Sequence, residues 1–113
     1  MSIQERLELL LNGDVISQKA ASITSKAADR LPKNASTDHV TMLITHLATA
    51  LTRIERGEEL DKPAPALVKE VEAMSIKPEI QDELVWIEEQ VGSNLPEEER
   101  IFLKIHYATL FNQ

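Results

Sequence analysis

The chemistry this chain can offer rests on its three histidines and a few charged residues near them. His39, His46 and Arg53 are spaced by seven. On a helix each residue advances by about 100°, so a spacing of seven returns to nearly the same side and the three form one axial row. That row lies about 100–140° from the centre of the neighbouring apolar stripe, at the edge of the face that meets the core. His46 is therefore expected to be half-buried, with its ring reachable from outside. His106 shares a helix face with Phe102, Leu103 and Leu110, and Glu99 lies two turns before it. A polar ring on such a face needs a partner or an opening.

Three readings of these rings stand open on spacing alone. They can be ordinary boundary histidines bonded to neighbours. They can bind a metal, although zinc on a helix favours His pairs at i and i+4, and the helical spacing here is seven. They can accept a phosphoryl group, because neutral imidazole is a competent nucleophile near neutral pH. A phosphorylated ring gains roughly two negative charges. Arg53 could answer that charge, with its Cα about 10.5 Å along the helix from that of His46.

The elements that must position these residues are helices. The 113 residues fit one domain, and abundant Ala, Leu, Glu and Lys with only three Gly favour helix. Residues 3–12 show helical apolar spacing and end at Asn12-Gly13. Asp14 is expected to cap a second helix reaching about Leu31, where Pro32 stops it, with Val15 and Ile16 among its apolar positions. Ser36 or Thr37 opens a third, which runs to Arg56 and ends at Gly57. After a polar loop over 58–65, further helices are predicted over 65–73, 78–91 and from Pro96 to the C-terminus. Glu97, Glu98 and Glu99 suit the positive end of the last helix. Together with Glu88 and Glu89 they read as solvated helix faces. The expected architecture is an all-α bundle of five core helices over 14–113, with residues 1–13 as an appended helix.

Composition narrows the function. The net charge of −7 opposes phosphate backbones, so direct nucleic-acid binding is not expected. With no Cys, thiol catalysis and Cys-based zinc sites are excluded. The N-terminal stretch lacks the basic and apolar regions of a signal peptide, and no membrane span is expected, so the cytoplasm is the default compartment. No Ser/His/Asp order, phosphate-cradling glycine loop or paired-carboxylate cleft points to an enzyme.

Two segments together carry a family resemblance. LITHLATALTRIERGEEL (43–60) resembles the first histidine motif of the PTS regulation domain, or PRD, in which an Arg follows the His by seven and a Gly follows the Arg by four. His46, Arg53 and Gly57 match. LPEEERIFLKIHYATL (95–110) resembles the second motif, with Leu95, Pro96, Glu99 and His106 on its positions. Family members often carry an acidic residue just before the first His, where Thr45 stands here. His39 falls on no family histidine and is read as exposed, structural or incidental.

The resemblance covers about residues 14–113. It implies a helical bundle, commonly a homodimer; no cofactor or metal is expected. It implies His46 and His106 as phosphoryl acceptors, supported by Arg53 and Glu99. The donors it implies are phosphotransferase-system proteins, either HPr or an enzyme II component. Such domains usually sit in larger regulators with nucleic-acid-binding domains. The expectation here is a stand-alone single PRD that acts on transcription through a partner regulator or enzyme. The alternative is a structural or assembly dimer that binds a partner without being phosphorylated.

Overall fold

The computed structural model describes residues 2–111, and they form six α-helices. These are α1 (Ile3–Asn12), α2 (Gln18–Asp29), α3 (Thr37–Arg56), α4 (Pro65–Ala73), α5 (Pro78–Val91) and α6 (Glu97–Phe111). No strand occurs among the described residues. No helix there is long and apolar enough to cross a membrane. The bundle is the all-α architecture that the apolar periodicity implies.

Helix ends follow local chemistry. Ser2 and Glu5 form a capping box at the start of α1, each side chain accepting from the other's backbone N–H. Pro65 and Pro78 start α4 and α5, where a missing N–H costs no intrahelical bond. Gly57 and Gly92 end α3 and α5 in the left-handed region, at φ 70° and 88°. The cap of α2 differs from expectation. Ser17, not Asp14, accepts from the Ala20 N–H, and the helix begins at Gln18. Asp14 instead sits in a turn at φ 59°, a conformation Asp tolerates, and its side chain accepts from Arg56. Val15 and Ile16 consequently precede α2, and Val15 is exposed while Ile16 is fully buried.

Helix α3 is the centre of the bundle. It packs against α1, α2 and α6, while α5 bridges α2 and α6, and α4 rests on α6. Leu43, Ile44, Leu47, Ala48 and Leu51 make its buried stripe. One core cluster joins these to Ile23 and Ala27 of α2, Leu84 and Ile87 of α5, and Leu103 and Tyr107 of α6. Leu7 of α1 belongs to the same cluster, so the first helix is docked on the bundle. Two polar ties link the start of α2 to α3: Thr52 Oγ1 accepts from the Ser17 N–H, and the Ser17 hydroxyl donates to Glu55.

Candidate functional site

Helices α3 and α6 bring His46 and His106 together. Their ring centroids are 5.0 Å apart, with planes 32° from parallel. Phe102 closes a second side of His46, at 5.5 Å between centroids. The sequence places His46 at the edge of the α3 stripe, and its side chain is 28% exposed. It is half-buried and reachable, as that position predicts.

Glu99 completes the arrangement in a way its spacing does not reveal. Its carboxylate lies 2.7 Å from His46 Nε2, on the facing helix, rather than against His106 on its own. A carboxylate only accepts, so Nε2 carries the proton and neutral His46 keeps its lone pair on Nδ1. The Glu99 side chain is only 2% exposed. This corrects the reading of Glu97–Glu99 as one solvated face. Glu99 shares the inward side of α6 with Leu103 and Leu110, and only Glu97 is fully on the surface. Glu88 departs from that reading too: it is largely covered and accepts from the Leu95 N–H and from Arg100, fastening the α5–α6 turn.

The two rings open onto different cavities. His46 and Glu99 line one of about 110 Å³, together with Arg53, Asp61 and Phe102. His106 lines another of about 230 Å³ with His39, Met42, Ile105 and Thr109. The Arg53 guanidinium reaches Asp61 at 3.5 Å rather than pairing with either ring, both side chains being well exposed. His39 is half-buried and lines the same cavity as His106, which corrects the expectation that it is exposed. The signal was present in the row His39–His46, since α6 runs along that edge of α3.

Burial holds the His106 ring below the usual imidazole value of 6.5, and a charge on His46 would lower it further. His106 is thus predominantly neutral near pH 7, the state in which an imidazole nitrogen can attack phosphorus. Next in sequence, Tyr107 is buried in the core, and burial followed by the Glu83 charge pushes its hydroxyl far above the ordinary tyrosine range. Glu83 is itself buried and pairs with Arg30 Nε at 2.8 Å. The Arg30 guanidinium also lies 4.6 Å from the Trp86 ring centroid. Both charges lie near enough to Tyr107 to be felt at its hydroxyl. Among the described residues no group of three or more His, Asp or Glu is placed to hold a metal ion.

What the fold and the site define is a helical module whose polar centre is a pair of packed imidazoles. A family model described as PRD domain matches residues 21–110. The chain belongs to the PRD domain family and is a phosphotransferase-system regulation-domain module. Neither a curated protein nor a solved structure matches it.

Proposed function

We propose that this module is a histidine-phosphorylated regulator. Phosphotransferase-system proteins, HPr or an enzyme II component, deliver phosphoryl groups to His106, His46 or both. The modification then changes self-association, for which a homodimer is the simplest form, or the binding of a partner regulator or enzyme. The observation that supports this most is the packed imidazole pair, its His106 member held neutral and opening onto its own cavity.

In the transfer, a lone pair on the imidazole nitrogen bonds to phosphorus. The bond from phosphorus to the donor breaks, and its electron pair returns to the donor atom. The product carries a group of roughly two negative charges beside the α3–α6 seam. Leaving such charge unpaired at a covered surface costs on the order of several kcal/mol, enough to change which surfaces associate. Arg53 is the cation nearest along the His46 row, and its tie to Asp61 is solvent-exposed and weak enough to exchange.

The test is phosphorylation from phosphoenolpyruvate through enzyme I, HPr and candidate enzyme II components, read as acid-labile phosphate on the chain. Label that is lost in His46→Ala/His106→Ala is the expected result, and no label with any donor overturns the proposal. Partner affinity that is the same with and without the donor system, and the same in the double variant, would instead support a constitutive assembly role.

A further inference from the structure

The two histidines do not have equivalent surroundings. His46 has its Nε2 engaged by the Glu99 carboxylate, 2.7 Å away and almost wholly buried, so a phosphoryl group on its Nδ1 would sit on a ring already held against a negative charge. The His106 cavity has no carboxylate among the residues that line it. At 5.0 Å between ring centroids, whatever charge one ring carries is felt by the other. Two phosphoryl groups on such a pair would repel across a partly buried seam. One phosphoryl beside one imidazolium would attract.

Resting on the function proposed above, we infer that His46 and Glu99 form the counter-ion of a phosphoryl group carried by His106, so that the pair takes up one phosphoryl and one proton together. His106 is then the acceptor, and His46 and Glu99 are positioning residues. In the transfer the His106 nitrogen uses its lone pair to form the new bond to phosphorus. The donor recovers the electron pair of the bond it loses. His46 keeps its Nε2–H hydrogen bond to Glu99 and gains a second proton at Nδ1 from a hydronium ion or buffer acid, whose conjugate base stays in solution. The resulting imidazolium lies between a buried carboxylate on one side and the phosphoryl-bearing ring on the other.

The charges around His46 favour this arrangement. From α6 it faces Glu99 and His106. From the loop after α3 it faces Asp61, and from α3 itself Arg53, which share its cavity. Arg53 opposes the second proton, but it is exposed and tied to Asp61 at 3.5 Å, so its charge is largely answered there. Glu99 is in direct contact, and little water screens it. His39 lines the same cavity as His106.

Two measurements test the inference. In the first, the wild-type chain is phosphorylated by the donor system and its mass and modified residue are determined. One phosphoryl per chain, on His106, is expected. A chain carrying phosphoryl groups on both His46 and His106, or on His46 alone, overturns the inference while leaving the broader function standing. No phosphorylation by any donor overturns both.

In the second, the titration of the His46 imidazole is followed by NMR in the unphosphorylated wild type, in His106→Glu and in His106→Glu/Glu99→Gln. His106→Glu supplies a fixed negative charge beside the ring. The His46 midpoint should rise at least tenfold in proton affinity in the first variant and fall back at least tenfold when Glu99 is neutralised. A midpoint that does not move with either substitution overturns the counter-ion role alone. Gln at 99 can still accept a hydrogen bond, so a purely structural role for Glu99 would leave the midpoint in place. Should His106→Glu not fold, the phosphoryl count on the wild-type chain decides the matter.

Discussion

At half burial beside a second imidazole, His106 binds its proton less readily than an exposed histidine does. The unfolded chain protonates this ring near 6.5, the folded chain only at lower pH. Between those two values the unfolded state holds more protons, so stability rises with pH across that window. The benefit is complete above 6.5 and is lost as pH falls through the window toward the folded value. Urea midpoints measured from about pH 7 down to about pH 5 should therefore drop more for the wild type than for His106→Gln. Parallel curves would show that the folded ring titrates normally. Of these residues, the sequence displays His46, His106, Arg53 and Glu99 through motif spacing. The Glu99–His46 contact was not legible, because it crosses between helices 53 positions apart in the chain. Helical periodicity reports which side of a helix a residue occupies, not which residue on the next helix it meets.

Among elements, stop signals were the clearest features to read. Pro32, Gly57 and Gly92 end their helices where the composition of the flanking runs predicts. A Cβ at Gly57 or Gly92 meets nothing within 4 Å, so Gly→Ala there tests backbone strain alone. Each substitution should cost about 1 kcal/mol in thermal or urea unfolding. No loss would mean that the helix end re-forms around a right-handed residue. The start of α2 was misread because Asp14 and Ser17 are both good caps, and only the turn geometry at Asp14 decides between them. The α2–α5 contact offers a sharper measurement. Arg30→Met strands the buried Glu83 carboxylate and should destabilise by ~1–3 kcal/mol. Adding Glu83→Gln should recover part of that loss, giving a coupling energy in a double-mutant cycle. Additive losses would show that Arg30 and Glu83 act independently.

On the scale of the whole molecule, α1 is packed as part of the bundle. Leu7 is 3% exposed and shares the central cluster. Leu7→Ala should cost ~2–5 kcal/mol in cooperative unfolding if α1 and the bundle melt together. A change within about 0.5 kcal/mol would mark α1 as separately detachable. Its docking was not legible, since a short amphipathic helix has an apolar side wherever it packs. The placement of α3 has a mechanical consequence. Its 20 residues make a rod about 30 Å long, in a molecule whose longest extent is 39 Å. Near its C-terminal end the rod is clamped by directional bonds: Thr52 and Glu55 to Ser17, and Arg56 to Asp14. His46 sits near mid-span. Because the rod also packs on α1, α2 and α6, a push at the ring pair is carried by the helix as one unit to each of them.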